Sequence, residues 1–442
     1  MPDFIVIGAG ISGLTVGHKL ARAGKDVIVL ESSTTAGGKI ATERVDGYLL
    51  EAGPSSLRVE NKETVDLIEE CGLSGRAIEA SPNSKKRFIL KNGRWIKIPS
   101  TSSEAISTPL FPLSGKLRIT LEPFIYKTKL DDESAASFIE RRLGNEVLDY
   151  AADPFISGIY AGDPHKLSMR HAFPKMWKAE QEHGSLLRAR IKGRNGHPND
   201  LKPRVLSFPD GLSELTNAMK SKLGDRLQLH NSALSIGRSA NQYAVSTSAE
   251  NFHSSQIIFA LPAYDVASMI ESFTPDLSRA LLAVDYPPVA VVYLGYPKDR
   301  FAIVPEGFGG LIPSIENRNI LGVIFSSSNF LNRAPEGHIL FTVLIGGARH
   351  SEIAEWPNEK ILEMATSEIN DLLKPNGSPA FRHIRLWKRA IPQYNLGYSA
   401  ILDAINSAEL DNPGLHFIGN YRGGISMGAC IRNATELANR LV

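Results

Sequence analysis

Three glycines near the start of the sequence, Gly8, Gly10 and Gly13, have the spacing of a turn that binds a pyrophosphate. In such a turn the first glycine permits a tight connection from strand to helix, the second lets the backbone approach the phosphates, and the third lets the helix pack against the sheet. Glu31 follows 21 residues after Gly10, where a carboxylate can accept hydrogen bonds from ribose hydroxyls. The predicted dinucleotide contacts here are Gly8, Gly10, Ile11, Ser12, Gly13 and Glu31.

The segments around these glycines predict the elements that would hold them. The apolar run at 4–8 predicts a buried strand, the pattern at 12–23 predicts a helix, and 26–31 predicts a second strand. A strand, a helix and a strand within about 30 residues form the opening unit of a parallel sheet. The glycines would then lie where the free N–H groups of a helix N-terminus favour an anion. An ordinary glycine-rich turn would leave Glu31 unexplained.

Further glycine-rich segments favour FAD over NAD as the dinucleotide. Two of them lie shortly after Glu31, and another, near residue 420, follows a predicted strand and opens a predicted helix. Two distant segments could thus hold one extended cofactor, which suits FAD because its pyrophosphate and its flavin ring lie far apart. The basic side chain of Lys39 is either a phosphate ligand or an ordinary surface lysine. The additional predicted FAD contacts are Gly37, Gly38, Lys39, Gly53, Pro54, Ser55, Ala260, Gly419, Asn420, Ile425, Ser426 and Met427.

The size and composition of the chain indicate a folded protein of several domains. Its 442 residues allow two or three domains with a sizeable core. The 18 Phe, 12 Tyr and 4 Trp residues offer too much apolar surface for disorder to be the main state. Two cysteines cannot build a disulfide framework, which favours a reducing compartment. We expect no signal peptide, because a strand begins almost at once, and no membrane-spanning helix, because no run of about 18 apolar residues occurs.

Basic residues are concentrated in two segments, although the net charge is only +2. Residues 76–129 hold 11 Lys and Arg against 3 Asp and Glu, and residues 165–204 hold 10 against 3. These segments favour an anionic partner, although a solvated basic face would show the same pattern. We expect neither a nucleic-acid partner nor a resident metal ion.

The middle of the chain has a helical pattern, and the second half returns to a pattern of strands. Residues 134–151 predict an amphipathic helix, and residues 189–204 predict a loop or linker. Apolar residues at 105–126 alternate with basic ones, which suits either a helix at a membrane interface or a helix packed in a core. The later segments that predict strands or helices include 227–236, 243–248, 256–260, 289–296, 339–345 and 361–373.

Longer motifs along the chain carry a resemblance to one family. They include Ile159-Tyr160-Ala161-Gly162-Asp163-Pro164, Phe325-Ser326-Ser327-Ser328, Asn332-Arg333-Ala334-Pro335 and Ala390-Ile391-Pro392-Gln393-Tyr394. With these motifs the sequence resembles the FAD-dependent, oxygen-dependent protoporphyrinogen oxidases, and within them the plant-like type. The resemblance implies that six electrons are removed from protoporphyrinogen IX to give protoporphyrin IX, a haem precursor, with molecular oxygen as acceptor and hydrogen peroxide as product. It also implies a cytoplasmic enzyme, peripheral on the inner face of the cell membrane, that forms a homodimer.

The resemblance also assigns substrate contacts. They are Arg87 for a propionate, Gly158 and Gly162 for a loop that contacts the macrocycle, and Phe308, Leu311, Ile324 and Leu344 for the pyrrole rings. A porphyrinogen is a broad apolar body with carboxylates on one edge, so a mostly apolar site with one fixed cation suits it. By pattern alone, Arg87 would be a surface residue and the four apolar side chains would belong to a core.

The expected fold class is α/β (α+β mixed), with a Rossmann-like FAD-binding domain, a mixed-sheet substrate domain and a helical, membrane-associating domain. The ranges are 1–75, 205–262 and 396–442 for the first domain, 76–99 and 263–395 for the second, and 100–204 for the third. The nearest alternative function is oxidation of coproporphyrinogen III to coproporphyrin III, since that substrate differs in carrying four propionates. Further alternatives are an FAD amine oxidase, which the basic segments disfavour, and a non-enzymatic carrier of the same fold, which the intact glycine motif disfavours.

Overall fold

The computed structural model of the protein describes residues 1–192, 201–239 and 242–442. Its strands are β1 (Phe4–Ile7), β2 (Val27–Leu30), β3 (Thr42–Val45), β4 (Tyr48–Glu51), β5 (Leu57–Val59), β6 (Ile78–Glu79), β7 (Arg87–Lys91), β8 (Arg94–Lys97), β9 (Arg204–Ser207), β10 (Leu227–Gln228), β11 (Ala233–Ser239), β12 (Gln242–Thr247), β13 (Asn251–Ser254), β14 (Gln256–Phe259), β15 (Val289–Pro297), β16 (Gly309–Leu311), β17 (Gly322–Ile324), β18 (His338–Gly346), β19 (Phe381–Trp387) and β20 (Leu415–Phe417). Its helices are α1 (Ile11–Arg22), α2 (Lys62–Glu70), α3 (Ser102–Ser107), α4 (Leu113–Thr120), α5 (Ala135–Leu143), α6 (Asn145–Val147), α7 (Asp153–Tyr160), α8 (Met169–Ala172), α9 (Pro174–His183), α10 (Leu186–Lys192), α11 (Ser213–Leu223), α12 (Ala263–Ile270), α13 (Pro275–Leu282), α14 (Ser326–Asn329), α15 (Asn358–Leu373), α16 (Tyr398–Asp411) and α17 (Met427–Leu441).

The first large sheet is parallel and has the strand order β10-β2-β1-β14-β20. Strands β1 and β2 are continuous apolar runs, as expected where helices cover both faces of a sheet. Alternate side chains of β1 enter different cores: Val6 packs with α1 and α17, whereas Ile5 packs with α12 and α13. Because β1, β14 and β20 run parallel, their carboxyl ends meet at one edge of the sheet. Ligands bind at this edge in sheets of this kind.

The second large sheet is mixed and has the strand order β19-β15-β18-β17-β16-β7-β8. Strands β7 and β16 pair in parallel, and the other neighbours pair antiparallel. Helix α15 covers one face, where Ile361 packs with Val292 and Val343. The other face meets the β3–β4 hairpin, since Tyr48 packs with Val291 there. This second face therefore turns towards the hairpin, which is joined to α11 by a hydrogen bond from the N–H of Thr42 to the hydroxyl of Ser213 at 2.7 Å.

The helical region that ends at Lys192 is more broken than its sequence pattern predicts. The helix expected at 134–151 stops at Leu143, because the next residue, Gly144, has a φ of +93°. After this break the chain forms α6, a π-helical turn and α7. The prediction of a single helix at 105–126 was also wrong, because α3 and α4 are separate short helices there.

Two further sequence expectations need correction. The strand expected at 227–236 is in fact two strands, β10 and β11, which belong to different sheets. His230, with a φ of +56°, lies in the turn between them. The linker expected at 189–204 begins inside α10 and ends in β9, while 193–200 lie outside the described residues.

A buried network of ion pairs ties the helical region together. The side chain of Arg142 is fully buried, and its guanidinium donates to Glu122 and Glu180, each at 2.7 Å. Arg141 donates to Glu180 at 2.8 Å and also to Glu133. The network joins the turn after α4 to α5 and α9, so it positions the segment that carries the exposed apolar residues described below.

The two large sheets and the helical region confirm the expected α/β (α+β mixed) fold class. The strands of the parallel sheet fall inside the ranges expected for an FAD-binding domain, and those of the mixed sheet fall inside the ranges expected for a substrate domain. The domain boundaries themselves stay a prediction. Among the described helices, none is both long and apolar enough to cross a membrane.

We predict that Arg142→Met destabilises the protein by about 3–5 kcal/mol, because it leaves the buried carboxylate of Glu122 without its cation and leaves Glu180 with Arg141 alone. Urea unfolding followed by circular dichroism measures the change. The control is Lys178→Ala, which removes an exposed pair with Glu182 and should cost less than about 1 kcal/mol. Equal unfolding midpoints for Arg142→Met and the wild type would contradict the role given to the network.

Candidate functional site

The glycine turn after β1 has the geometry that its sequence predicts. Gly8 has a φ of +102°, which a residue with a side chain rarely adopts. A Cβ atom on Gly13 would lie 1.9 Å from the carbonyl oxygen of Gly8, so α1 can start against the turn only because residue 13 is glycine. A Cβ atom on Gly10, which caps α1, would meet no atom within 4 Å. The N-terminus of α1 therefore faces open space lined by backbone N–H groups, as a phosphate cradle requires.

Glu31 lies directly beside this turn, at the end of β2. Its carboxylate accepts hydrogen bonds from the backbone N–H of Ala9 at 2.8 Å and from that of Ser33 at 2.9 Å. These bonds hold the acid at the sheet edge, where the sequence motif places a ribose ligand.

The glycine segments that follow Glu31 pack onto the first turn. The N–H of Gly37 donates to the carbonyl of Ala9 at 2.8 Å, and a Cβ atom on Gly38 would lie 3.3 Å from the Cα of Gly10. A Cβ atom on Gly53 would lie 2.2 Å from the carbonyl oxygen of Lys39. The structure thus brings Gly53-Pro54-Ser55 against the Gly37-Gly38-Lys39 segment, and through it to Gly10.

The glycine-rich segment after β20 lies at the same edge of the parallel sheet. Ser426 caps α17 by accepting a hydrogen bond from the N–H of Ala429. The hydroxyl of Tyr394 holds the loop before the cap, because it donates to the carbonyl of Asn420 at 2.7 Å and accepts from the N–H of Gly424 at 2.9 Å. Ile425 and Met427 flank the cap in the sequence, and Gly419, with a φ of +153°, opens the loop.

Ala260 connects this edge to the first turn. It follows β14, and its carbonyl oxygen would lie 2.8 Å from a Cβ atom on Gly8. Two helix N-termini, those of α1 and α17, thus converge with the ends of β1, β14 and β20. The open cradle at Gly10 and the glycine segments that approach one another closely fit an extended dinucleotide such as FAD.

Lys39 lies among aromatic rings in this structure. Its ammonium is 5.7 Å from the ring centroid of Tyr286 and 6.0 Å from that of Trp387. Burial lowers the pKa of Lys39 to about 8, while Asp265 opposes this shift. The phosphate contact predicted for Lys39 stays a prediction.

The apolar residues expected around a substrate share one face of the mixed sheet. Strand pairing places Ile324 opposite Gly309 and places Leu344 opposite Gly322, which in turn pairs with Leu311. Directly opposed residues point to the same side of a sheet, as do residues two apart along a strand. Ile324, Leu311 and Leu344 are half-buried, so this face is only partly covered.

Arg87 joins the same face through the parallel pairing of β7 with β16, in which it lies opposite Gly309. Its guanidinium lies 4.8 Å from the ring centroid of Phe308, while the residue stays accessible to solvent. Partial loss of water, and then the nearby charge of Arg58, lower the pKa of Arg87. Among the described residues, no carboxylate is placed to offset its charge. An unpaired arginine beside an apolar face can bind the carboxylate of an apolar ligand.

The two glycines for which a macrocycle contact is expected lie in different surroundings. A Cβ atom on Gly158 would lie 2.5 Å from Leu311, so α7 packs directly on the apolar face. A Cβ atom on Gly162 would lie 2.3 Å from the side-chain oxygen of Gln393 and 2.7 Å from Leu167. The structure thus brings Gly158 to the predicted substrate face and encloses Gly162 between two side chains. The macrocycle contact of Gly162 stays a prediction.

Sequence reasoning missed a buried polar group beside the apolar face. Glu51, Asn329 and Arg333 line a small cavity together with Phe308 and Ile324. The motif that contains Arg333 carried the resemblance, but the sequence offers no sign that this arginine is buried. Glu51 follows three apolar residues, a pattern that does not tell whether the acid is buried or exposed.

Comparison with known proteins agrees with this geometry. Residues 11–442 match the family model described as flavin containing amine oxidoreductase. A fold with a dinucleotide cradle at the edge of a parallel sheet, combined with this match, defines an FAD-dependent oxidoreductase. The chain belongs to the flavin-containing amine oxidoreductase family.

Two relatives and one solved structure that are similar to this chain are named as porphyrinogen oxidases. The chain is 32% identical to a mitochondrial protoporphyrinogen oxidase from Nicotiana tabacum, over 99% of this chain and 94% of the relative. It is 26% identical to coproporphyrinogen III oxidase from Bacillus subtilis, over 97% and 95% of the two chains. A provisionally assigned protoporphyrinogen oxidase from Exiguobacterium sp. 255-15 has a similar structure, with a TM-score of 0.83 at 21% identity, over 99% of this chain and 98% of that chain.

These comparisons confirm the resemblance drawn from the sequence motifs, and they confirm FAD as the cofactor. The assignment of individual residues to cofactor and substrate stays a prediction, as do the membrane contact and the homodimer that the resemblance implies.

We predict that Gly10→Ala weakens FAD binding at least roughly tenfold while the apoprotein stays folded, because the added methyl group enters the open cradle and meets no protein atom. Titration of the apoprotein with FAD, followed by flavin fluorescence, measures the affinity, and thermal unfolding checks the fold. Gly75→Ala is the matched control, since residue 75 also has open space around its Cβ position and lies outside the cradle. Unchanged FAD affinity in Gly10→Ala would contradict the cradle.

Proposed function

We propose that the protein oxidises protoporphyrinogen IX to protoporphyrin IX, using molecular oxygen as the final acceptor and releasing hydrogen peroxide. The observation that carries the proposal is the half-buried apolar sheet face with an unpaired arginine at its edge, in a chain related over its whole length to protoporphyrinogen oxidases. Apolar walls and one cation match a macrocycle that carries carboxylates on one side.

The chain's own residues would bind and orient the substrate. Leu311, Ile324 and Leu344 would pack against the pyrrole rings, and Arg87 would hold a propionate by charge-assisted hydrogen bonds. FAD supplies the oxidising chemistry, since it accepts a hydride from carbon and passes electrons to oxygen. Orientation of one methylene bridge towards the cofactor is then the main task of the protein.

The related reaction, oxidation of coproporphyrinogen III, is less well supported. Its substrate carries four propionates, so it favours more than one cation at the sheet face. The relative with that printed name is 26% identical to this chain, against 32% for the tobacco protoporphyrinogen oxidase. Neither an amine oxidase nor a carrier without a cofactor accounts for an unpaired arginine at an apolar face.

The proposal predicts porphyrin formation by the purified, FAD-loaded enzyme in air, measured by the fluorescence of protoporphyrin IX and by hydrogen peroxide release. Arg87→Ala should raise the KM about 10- to 100-fold with a smaller change in kcat, because it removes a hydrogen-bonded charge from substrate binding. Arg94→Ala, which removes an exposed arginine from β8, should leave both constants unchanged. No porphyrin from the wild-type enzyme would refute the function, and an unchanged KM in Arg87→Ala would refute the propionate contact.

We propose further that the segment between residues 106 and 130 contacts the surface of a lipid bilayer. Large apolar side chains here are strongly exposed: Leu113 is 74% exposed, Leu117 57% and Phe124 75%. Leu113, Leu117 and Leu121 are four residues apart, so they share one side of α4 and its continuation. Exposed Lys127 beside them suits anionic headgroups.

The membrane contact predicts that the protein floats with vesicles of anionic lipid in a density gradient. The double variant Leu117→Glu with Phe124→Glu should lose most of this binding, because it places two charges in the apolar surface. The matched control is Leu410→Glu, which charges an equally exposed leucine on α16. Equal flotation of the double variant and the control would contradict the proposal.

A further inference from the structure

A small cavity lies where the β3–β4 hairpin meets the mixed sheet. Its volume is about 20 Å³, and a single water molecule needs about 10–15 Å³ on the same measure. Water therefore fits, whereas a carboxylate or a pyrrole ring does not. The cavity is lined by Leu49, Glu51, Ser55, Phe308, Ile324, Ser326, Asn329, Phe330, Arg333 and Thr342.

Two of the residues that line this cavity each carry a buried polar atom without a hydrogen-bond partner. One is Nη1 of Arg333, an N–H donor, and the other is Oδ1 of Asn329, an acceptor. Both residues are only 2% exposed. Unpaired polar atoms at this depth are rare in native proteins and are usually satisfied by an internal water molecule. One water molecule can accept from Arg333 and donate to Asn329, so the two orphan atoms are complementary.

Glu51 lines the same cavity and carries a buried carboxyl group. It accepts hydrogen bonds from the hydroxyl of Thr42 at 2.6 Å and from the N–H of Leu212 at 2.9 Å. Burial raises the pKa of Glu51 to about 7, and these two bonds together with Arg333 limit the rise. Burial and the charge of Glu51 in turn raise the pKa of the neighbouring Tyr293, whose hydroxyl donates to the Glu51 carbonyl.

Other charged groups lie further out. Arg44, Asp210 and Glu214 face Arg333 from the β3–β4 hairpin and from the start of α11. Asp210 is exposed, so water screens its influence on the cavity. Among the residues that line the cavity, Glu51 is the one that carries a carboxyl group, and it is buried.

The cavity also borders the proposed substrate face, through Phe308 and Ile324. Each two-electron oxidation of a porphyrinogen removes one hydride and one proton. We propose that an ordered water molecule between Arg333 and Asn329 carries that proton from the substrate to the carboxylate of Glu51. The inference rests on the proposed function.

FAD, when bound, would take up the hydrogen of a methylene C–H bond together with the electron pair of that bond. A pyrrole N–H bond then breaks, its electron pair stays on nitrogen, and its proton passes through the water to Glu51, which becomes a neutral carboxylic acid. Glu51 is 7% exposed, so it returns the proton to solvent before the next round. A base whose pKa lies near the working pH is best suited to such repeated exchange.

The first test uses the apoprotein and needs no turnover. An infrared titration through pH 7 should show the carbonyl band of a buried carboxylic acid, and Glu51→Gln should remove that band. Glu43→Gln is the matched control, because Glu43 lies on the same hairpin but outside the cavity wall. A crystal structure should show a water molecule bonded to both orphan atoms. An empty cavity, or a wild-type protein without the band, would overturn the proposal.

The second test measures the rate of anaerobic flavin reduction by protoporphyrinogen IX as a function of pH. The rate for the wild type and for Glu43→Gln should rise through pH 7, because the carboxylate must be free to accept the proton. Glu51→Gln should be at least about tenfold slower and lose this rise. A Glu51→Gln enzyme with the wild-type rate and pH profile would overturn the proton-acceptor role and leave the proposed function intact.

If the proposed function itself is wrong, the flavin-reduction experiment gives a different result. In that case the substrate would not reduce the flavin at any pH in the wild type, and the proton-acceptor role would fall with it. The infrared band and the ordered water would still decide whether the cavity has the chemistry described.

Discussion

A Cβ atom on Gly13 would lie 1.9 Å from the carbonyl oxygen of Gly8, so α1 can start directly against the end of β1 only without a side chain there. That close approach places the N-terminus of α1 at the carboxyl edge of the parallel sheet, beside Glu31 and Ala260. The remaining glycine segments then pack around it. Since α17 starts near the same edge, with Ser426 as its cap, two helix N-termini lie where an extended anionic cofactor such as FAD would fit. The mixed sheet can contribute to the same site because of its position relative to this edge.

The seam between the parallel-sheet part and the mixed sheet is held by specific polar contacts rather than by apolar packing alone. Arg333 donates to the hydroxyl of Ser207 at 2.6 Å, and its carbonyl accepts from the N–H of Leu49 at 3.1 Å. A guanidinium buried in this way needs fixed partners, so it fixes the register of the two parts. The same seam leaves the small cavity that borders Phe308. One arrangement thus holds the two parts together beside the proposed substrate face.

Local motifs could be predicted from the sequence, whereas contacts between distant segments could not. Gly8, Gly13 and Glu31 follow from spacing alone, because the turn and the two strands around it are consecutive in the chain. The pairing of Arg87 with Gly309 joins distant strands in parallel, so no local pattern predicted it, and the resemblance gave only a substrate contact for Arg87. The break after Leu143 was missed because apolar spacing continues across it. The orphan atoms of Arg333 and Asn329 depend on burial that no local pattern encodes.

The central claim is that the FAD edge of the parallel sheet and the apolar face of the mixed sheet form one site for a porphyrinogen. The most direct measurement is anaerobic mixing of the FAD-loaded enzyme with protoporphyrinogen IX, and separately with coproporphyrinogen III, while the flavin absorbance is followed. The account predicts that both the rate and the extent of bleaching are greater with protoporphyrinogen IX. Faster bleaching with coproporphyrinogen III, or a bound flavin that neither compound reduces, would contradict it.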